Sequence, residues 1–506
     1  MQASSRTRVV GIVGAGLMGR GIAQITAQAG FEVRLLDAKP GAAADAKRSI
    51  ADTLSSLAAK GKIAQASAED AVARIVLPDA FADLAGCSLV IEAIVERLDA
   101  KQTLLASLEP IVGDDCILAT NTSSLSVTAI ASACANPARV AGLHFFSPVP
   151  LMKVVEVIAG LKIAPDIVPR LLEFAAALGH TPVQAKDTPG FIVNHAGRGY
   201  GTEALRIAGE GIADYATIDR ILKLAAGFRM GPFELFDLTG LDVSHPAMES
   251  IYHQFYEEPR FRPSPLTAQR LAAGVLGRKS GRGFYDYPAG AQPAPKAPAP
   301  QARPASLVWI SGRRAEAQAR VGERLRVLGA KLDAGATPHP DALCLVLPLG
   351  CDATTAALEE ELDPTRTIAL DTLPDLAHHR TLMTTPLTDP VRREEARALF
   401  AADEPGVDVI HDSPGFVVQR VIAHIVNVAC DIAQQRIASP ADIDLAVRLG
   451  LGYPQGPLAW GDALGPLRVL QILQELHRAY GDPRYRPSIW LQRRARLGVS
   501  LLTAEA

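Results

Sequence analysis

The sequence predicts an α/β fold with a doubly wound, mostly parallel sheet, then an all-α domain, then a reduced second copy of this pair. Three observations favour this organisation. Residues 1–186 alternate strand-like and helix-like segments, which is typical of a parallel sheet with helices on both faces. Strand signals then stop from Gly190 to about Gly274. Finally, D-T-P-G-F-I-V at Asp187 recurs as D-S-P-G-F-V-V at Asp412, 225 residues later.

Short apolar runs mark the candidate strands, because a buried parallel strand is apolar on both faces. In the first region they span residues 9–13, 31–36, 88–94, 116–120, 140–145 and 154–158. The corresponding runs of the second region are fewer and span residues 307–310, 343–347 and 367–370. We therefore expect a complete sheet in the first half and a reduced sheet in the second.

These signals divide the chain into five segments. They are an α/β domain at 1–186, a helical domain at 187–287, a Pro/Ala linker at 288–305, a reduced α/β domain at 306–411 and a second helical domain at 412–506. The linker composition favours an extended, semi-rigid spacer. Further dipeptides repeat at the same offset of 225 residues: Ile218-Asp219 with Ile443-Asp444, and Gly231-Pro232 with Gly456-Pro457. The helical domain is therefore predicted to be duplicated.

Composition narrows the functional classes. The 506 residues include 51 Lys and Arg against 54 Asp and Glu, a net charge of −3, so no basic excess suggests nucleic acid. The six cysteines form no C-x-x-C pair and no metal-ligand spacing, which favours reduced thiols, no metal site and a cytoplasmic location. The apolar run at 9–13 is interpreted as a strand and not as a signal peptide, and no stretch is long enough to span a bilayer.

A glycine motif follows the first candidate strand. Gly14, Gly16 and Gly19 have G-x-G-x-x-G spacing, enclose Leu17 and Met18, and open a predicted helix. In such a loop the first glycine permits a tight turn, the second lets a pyrophosphate approach the backbone, and the third allows close packing of helix on strand. The next candidate strand ends at Asp37. An acidic side chain there can accept hydrogen bonds from ribose hydroxyls and repels a 2′-phosphate, so the motif predicts NAD rather than NADP.

Polar residues follow or interrupt three later strands. They are Asn121 to Ser124 after residue 120, His144 in G-L-H-F-F-S-P, and Glu156 in K-V-V-E-V-I. Ligands of open α/β sheets bind beyond the carboxyl ends of the strands, so these side chains are expected to face one crevice. A histidine oriented by a carboxylate suits removal of a proton from an alcohol. A structural histidine and a helix cap at Ser123 remain open as alternatives.

Several ordered strings together resemble the L-3-hydroxyacyl-CoA dehydrogenase family, which includes bacterial 3-hydroxybutyryl-CoA and 3-hydroxyadipyl-CoA dehydrogenases. The matching strings cover roughly residues 8–287; they are G-A-G-L-M-G, I-E-A-I-V-E, N-T-S-S-L, G-L-H-F-F-S-P-V-P-L-M-K-V-V-E-V-I, D-T-P-G-F-I-V-N, G-P-F-E-L-F-D-L-T-G-L-D and K-S-G-R-G-F-Y-D-Y. The second half resembles the extended members of the family. The resemblance implies a Rossmann domain that binds NAD, at 1–186, and a reduced Rossmann-like domain that does not bind NAD, since S-G-R-R follows its first strand.

The resemblance also assigns roles by position. His144 would be the general base and would pair with Glu156, Ser123 would bind the substrate oxygen, and Asn194 would help to hold the substrate. The residues expected to border the cofactor cleft are Glu96, Lys101 and Asn121. The residues expected to meet the phosphates of CoA are Lys60 and Lys62, although a solvated helix end explains these lysines equally well.

Two departures from the family pattern affect these expectations. Ser147 stands where the family usually has Asn, so altered kinetics are expected, but not inactivity. The repeat counterpart of Asn194 is Gln419, and the second half has no counterpart of the His144–Glu156 pair. We therefore expect one active site per chain and a structural role for the second helical domain.

The expected reaction is the reversible, NAD-dependent oxidation of (S)-3-hydroxyacyl-CoA to 3-oxoacyl-CoA. Short-chain 3-hydroxybutyryl-CoA and dicarboxylic 3-hydroxyadipyl-CoA both stay open as substrates, and with them β-oxidation and phenylacetate catabolism. One alternative is a β-hydroxyacid dehydrogenase that acts on a free acid, although such enzymes use a lysine where this chain has Asn194. Another alternative is a relative that binds NAD without turnover. A homodimer is also open, because the tandem helical domains either replace such a contact or add to it.

Overall fold

The computed structural model describes residues 9–288, 302–403 and 406–505. Most of the predicted Pro/Ala linker at 288–305 lies outside the described residues. The chain forms two compact units. The first contains the residues up to His195 together with Gln435–Leu451, and the second contains Ala196–Gln434 and the residues from Gly452 onward.

The first unit is built on an eight-stranded sheet with the strand order β3-β2-β1-β4-β5-β6-β7-β8. Its strands are β1 (Val9–Val13), β2 (Glu32–Leu36), β3 (Ile75–Val76), β4 (Leu89–Glu92), β5 (Ile117–Thr120), β6 (Val140–Phe145), β7 (Val154–Ala159) and β8 (Thr181–Lys186). Neighbouring strands are parallel except for β6 and β7, which are antiparallel. The predicted doubly wound, mostly parallel sheet is confirmed. The reversal at β7 was not predicted, because a buried strand is apolar whichever way it runs.

Helices cover both faces of this sheet. They are α1 (Leu17–Gln28), α2 (Ala42–Ala59), α3 (Gln65–Ala73), α4 (Leu98–Leu108), α5 (Val127–Ala131) and α6 (Ile167–Ala177). Successive side chains of a strand point to opposite faces, so Ile12 and Leu143 belong to one apolar cluster while Val13 and Leu118 belong to the other. These two cores fix the strand ends that carry the polar residues.

The stretch after the first sheet is helical, as predicted, and residues 190–274 contain no strand. Its helices are α7 (Val193–Gly209), α8 (Tyr215–Ala226), α9 (Pro232–Thr239), α10 (Leu241–Gln254) and α11 (Pro265–Ala272). Local sequence sets their ends. For example, the Asp214 side chain accepts a hydrogen bond from the Thr217 N–H at the start of α8, and Gly227 ends that helix in the left-handed conformation, a common pair of helix-terminating features.

The second unit contains a six-stranded sheet with the strand order β10-β9-β11-β12-β13-β14. The strands are β9 (Leu307–Ile310), β10 (Lys331–Asp333), β11 (Leu343–Val346), β12 (Thr367–Leu370), β13 (Arg380–Thr384) and β14 (Val407–Ile410). The helices of this region are α12 (Ala315–Val327), α13 (Ala353–Glu359) and α14 (Pro390–Phe400). Three of the six strands were predicted. The others contain charged or hydroxyl residues and gave no apolar run.

A second helical region ends the described chain. Its helices are α15 (Val417–Gln434), α16 (Pro440–Gly450), α17 (Pro457–Leu464), α18 (Pro466–Tyr480) and α19 (Ile489–Leu497). Of these, α16 belongs to the first unit, where it packs on β7 and β8. Among the described residues, no helix combines the length and the apolar character needed to cross a membrane.

Candidate active site

The glycine loop between β1 and α1 has the close packing that its sequence predicts. Gly14 has a φ of +105°, and a Cβ there would lie 2.5 Å from the Ala93 carbonyl oxygen. A Cβ on Gly19 would lie 1.7 Å from the Gly14 carbonyl oxygen. In contrast, a Cβ on Gly16 would meet nothing within 4 Å. The first and third glycines are therefore required for packing, while the second leaves open space in front of the loop.

Asp37 closes this loop from the end of β2. Its Oδ2 accepts a hydrogen bond from the Ala15 N–H at 2.7 Å, and its Oδ1 accepts one from the Lys39 N–H at 2.8 Å. Each oxygen of an ionised carboxylate can accept a further bond. Leu17 and Met18 form the first turn of α1, whose N-terminus has no side-chain cap. The uncapped N–H groups of such a turn favour an anion, so the loop fits a dinucleotide pyrophosphate, with Asp37 placed for a ribose.

His144 and Glu156 face each other across β6 and β7. His144 Nδ1 lies 2.6 Å from Glu156 Oε2, and both side chains are buried. The ionised carboxylate accepts the Nδ1 proton, which leaves the lone pair on Nε2. His144 Nε2 has no hydrogen-bond partner within the described residues. Glu156 lies inside a strand and not at its carboxyl end, as had been expected, and it meets His144 because β7 is antiparallel.

The other oxygen of Glu156 lies at the N-terminus of α7. Oε1 accepts hydrogen bonds from the Ile192 and Val193 N–H groups, both at 2.9 Å. A helix N-terminus favours a negative charge. The preceding residue, Phe191, has a φ of +49°, a conformation that costs a non-glycine residue about 1–3 kcal/mol. This strained backbone turns two N–H groups towards Glu156, so the position of the carboxylate is fixed from both sides.

Glu96 organises the turn after β5. Its Oε1 accepts hydrogen bonds from the Thr122 hydroxyl at 2.7 Å, the Ser123 N–H at 2.8 Å and the Ser123 hydroxyl at 3.2 Å. Burial disfavours ionisation of Glu96, but the charge of Lys101 and these hydrogen bonds outweigh it and lower the pKa of the carboxyl. Ser123 is thus held in place through both its backbone and its side chain.

Lys101 does not reach the surface of the cleft. Its Nζ lies 2.9 Å from both carboxylate oxygens of Glu92 and 3.3 Å from Glu96 Oε2, and its side chain is 1% exposed. It therefore acts on this region through the two carboxylates. Glu92, at the end of β4, was not identified from the sequence. Its signal is a charged residue that ends an apolar run, since a buried carboxylate needs a partner.

Two asparagines connect the turn after β5 with its neighbours. Asn121 Oδ1 accepts a hydrogen bond from the Phe145 N–H at 2.9 Å, next to His144 in the chain. Asn194, in the first turn of α7, donates from Nδ2 to the Ser123 carbonyl oxygen at 3.2 Å. The structure therefore brings Asn121, Ser123, Asn194 and the His144–Glu156 pair together at one edge of the sheet.

Other predicted residues lie outside this cluster of contacts. Lys60 and Lys62 are exposed where α2 ends, and within the described residues they make no hydrogen bond to the histidine–glutamate pair. Ser147 is exposed three residues after His144. No group of three or more His, Cys, Asp or Glu side chains that could hold a metal ion occurs in the described ranges.

The corresponding place in the second half is filled by protein groups. Gln419 accepts a hydrogen bond from the Gly350 N–H at 2.8 Å and donates to Asp371 Oδ1 at 2.9 Å and to the Pro348 carbonyl oxygen at 3.3 Å. Burial raises the pKa of Asp371 to about 6. Arg314, from the S-G-R-R sequence after β9, donates to the Leu347 carbonyl oxygen at 3.1 Å.

Comparisons with known proteins agree with this arrangement. A model of the NAD-binding domain of 3-hydroxyacyl-CoA dehydrogenase matches residues 9–188, and a model of the C-terminal domain of that enzyme matches 190–287 and 415–500. The chain is 36% identical over 501 residues to 3-hydroxyadipyl-CoA dehydrogenase from Escherichia coli K12, which covers 97% of this chain and 98% of that protein. It is 43% identical over 277 residues to a probable 3-hydroxybutyryl-CoA dehydrogenase from Deinococcus radiodurans, which covers 55% of this chain and 99% of that protein.

Among solved structures, the chain is similar to the crystal structure of 3-hydroxybutyryl-CoA dehydrogenase from Escherichia coli K12. The TM-score is 0.86 at 36% identity, and the match covers 97% of this chain and 99% of the other. The similarity therefore includes the reduced sheet and the second helical region as well as the first half.

Proposed function

Because the chain belongs to the 3-hydroxyacyl-CoA dehydrogenase family, we propose that it oxidises (S)-3-hydroxyacyl-CoA to 3-oxoacyl-CoA with NAD, reversibly. The observation that carries this proposal is the buried His144–Glu156 pair, 2.6 Å apart, in a sheet that also carries the glycine loop. The strands β1, β4, β5 and β6 are parallel to one another, so their carboxyl ends lie on one edge, where such sheets bind ligands.

In this reaction His144 acts as the general base. Its Nε2 takes the proton of the 3-hydroxyl group while the two electrons of the C3–H bond leave as hydride. Glu156 keeps the proton on Nδ1 and stabilises the imidazolium that forms, because an adjacent carboxylate favours the charged ring. General-base catalysis of this kind contributes about 10²- to 10⁴-fold to the rate.

Ser123 and Asn194 hold the substrate in the proposed site. The Ser123 hydroxyl donates to the oxygen on C3, and Glu96 orients that hydroxyl by holding the Ser123 backbone. Asn194 fixes the same turn through the Ser123 carbonyl oxygen. Correct orientation of reacting groups is worth a large part of an enzymatic rate enhancement, so both residues are expected to act mainly on kcat.

NAD fits the glycine loop on the evidence of the backbone. Gly16 leaves open space, the N-terminus of α1 offers uncapped N–H groups, and Asp37 is placed at the end of β2. When bound, NAD supplies the hydride acceptor at its nicotinamide ring. Asp37 would bind the adenosine ribose and repel a 2′-phosphate, which makes NAD the preferred cofactor over NADP. Asn121 and Glu96 would line the nicotinamide end of this cleft.

The acyl-CoA chain length is part of the proposal. The full-length relative is named for 3-hydroxyadipyl-CoA, and the shorter relative and the solved structure are named for 3-hydroxybutyryl-CoA, so both compounds are proposed substrates. The exposed Lys60 and Lys62 would meet the phosphates of CoA. We further propose one active site per chain, a cytoplasmic location and a homodimer. Burial raises the pKa of the Cys87 and Cys116 thiols to about 11 and about 12, which suits a reducing compartment.

The test is NADH oxidation by the purified protein with acetoacetyl-CoA, and with NADPH and free acetoacetate as comparisons. We expect fast turnover that requires both NADH and the CoA thioester. Turnover of free acetoacetate at a similar rate would instead favour a dehydrogenase of free hydroxyacids. Binding of NADH without turnover of acetoacetyl-CoA or 3-oxoadipyl-CoA would favour a relative that has lost catalysis.

A further inference from the structure

A helix from the far end of the chain packs on the strand that carries Glu156. The helix α16 lies against β7 and β8 within the first unit. The segment that leads into it is attached to the sheet, since the Ile437 carbonyl oxygen accepts a hydrogen bond from the Lys186 N–H at 2.9 Å. The second helical region thus contributes one helix to the unit that contains the proposed site.

The closest approach of α16 is at its last residue, Gly450. A Cβ on Gly450 would lie 3.0 Å from both methyl groups of Val193 and 3.4 Å from a methyl group of Val154. At 3.0 Å the neighbouring atoms must move by a few tenths of an ångström. Both valines bear directly on Glu156, because the Val193 N–H donates to Oε1 and Val154 is two residues before Glu156 on the same face of β7.

Glycine at this position is not required by the backbone. Gly450 lies in a helix and not in the left-handed region, and a glycine in a helix is less stable than an alanine. The reason for the glycine is therefore the space that it leaves for Val193 and Val154.

The repeat supports this interpretation. In the second unit the His411 N–H donates to the Ile212 carbonyl oxygen at 3.0 Å, which repeats the Lys186–Ile437 bond at the offset of 225 residues. The counterpart of Gly450 at that offset is Ala225 on α8, and the counterpart of Glu156 is Thr381. An alanine is thus present in the copy that has no carboxylate to position.

We propose that Gly450 is a positioning residue for the His144–Glu156 pair, a role that rests on the proposed function of that pair. The close approach of α16 seats Val193, the Val193 N–H fixes Glu156, and Glu156 fixes the imidazole. A side chain at 450 displaces the carboxylate from the histidine without touching the glycine loop. The second helical copy therefore determines the geometry of proton transfer in the first.

The test compares Gly450→Ala with the double variant Gly450→Ala/Val193→Ala in the full-length protein. We expect the single change to lower kcat roughly threefold to tenfold with the KM for NADH unchanged, because a 1 Å displacement in an active site costs about a hundredfold. The double variant removes the methyl groups that the new Cβ meets, so kcat should recover towards the wild-type value. The matched control is Gly113→Ala, since a Cβ on Gly113 would meet nothing within 4 Å.

A second readout does not depend on turnover. The proton between His144 Nδ1 and Glu156 should give a low-field NMR resonance that shifts in Gly450→Ala, returns in the double variant and stays in place in Gly113→Ala. If wild-type protein turns over acyl-CoA and Gly450→Ala matches it in kcat and in this resonance, the positioning role is wrong. A double variant that folds but remains as slow as the single variant would equally overturn it. If wild-type protein lacks turnover while the resonance shifts as expected, the proposed function fails and the packing argument stands.

Discussion

The two copies within this chain use the same hydrogen bond at the same offset, with opposite consequences. Asn194 donates to the Ser123 carbonyl oxygen at 3.2 Å, and its counterpart Gln419 donates to the Pro348 carbonyl oxygen at 3.3 Å. Asn194 is partly exposed, whereas Gln419 is fully buried. Gln419 also bonds to Asp371. The longer amide of the second copy thus serves the packing of its own sheet, while the shorter amide of the first lies at an accessible edge.

The copies also differ where Glu156 is held. In the first copy Phe191 adopts a φ of +49° and aims two N–H groups at the carboxylate. Its counterpart Phe416 has no positive φ, and the carboxylate is replaced by Thr381. Backbone strain persists where surrounding structure enforces it and is concentrated at functional sites. The comparison therefore indicates that the strain at Phe191 serves the histidine–glutamate pair and is not a property of the fold.

The largest expected effect comes from removing the base. We expect His144→Gln to lower kcat/KM by about 10²- to 10⁴-fold, because Gln cannot take up the substrate proton. Steady-state kinetics with acetoacetyl-CoA and fluorescence titration of NADH measure the two consequences, and the dissociation constant of NADH should change little. The control is His253→Gln, which alters an exposed histidine that also lies next to a glutamate, at 2.8 Å. A variant at 144 that keeps a near-normal rate would remove His144 from the mechanism.

The next effect separates the two amides directly. Asn194→Ala should lower kcat/KM by about 10- to 100-fold, the equivalent of one lost hydrogen bond of about 1–3 kcal/mol. Gln419→Ala should leave kcat/KM near the wild-type value but reduce stability, because the buried Gly350 N–H and Asp371 lose their partner. Kinetics and thermal unfolding of both variants decide the matter. A collapse of turnover in Gln419→Ala with folding intact would show that the second copy takes part in catalysis.

The outcome for the fold shows which features a sequence reveals. The glycine loop, the strands around it and the repeat were predictable, because each depends on local residue type and spacing. The strand β8 has alternating character and contains Pro182, which suits its place at the edge of the sheet but weakens a strand signal. The antiparallel direction of β7 is a tertiary property that no local pattern encodes.

The candidate site divides in a similar way. His144 and Glu156 were predicted as a pair, and their contact at 2.6 Å agrees with that pairing. The parts that were missed act through the backbone or from a distance in the sequence, such as the Val193 N–H and the buried partner Glu92 of Lys101. Backbone N–H groups have no residue signature, and the approach of Gly450 to Val193 joins positions that are remote in the chain.

The smallest expected effect concerns the buried acid of the second copy. Burial raises the pKa of Asp371 from 3.8 to about 6, so between these two values the folded protein holds a proton that the unfolded chain has lost. Its contribution to stability is therefore present below pH 3.8, falls as the pH rises to about 6, and is constant above that. The fall amounts to about 2–3 kcal/mol. Asp371→Asn cannot lose this proton, so the free energy of unfolding of the variant relative to wild type should rise across this range.

Urea unfolding at a series of pH values from 4 to 8 measures that difference. Asp341→Asn alters an exposed carboxylate and should give a difference that does not vary with pH. A flat difference for Asp371→Asn as well would mean that Asp371 stays ionised in the folded protein. Arg314 and Arg320 favour its ionised form, so a flat curve would assign to these arginines the stabilisation of a permanent negative charge. The second copy would then have kept a charged crevice, as the first copy has, instead of replacing it with a neutral, internally bonded core.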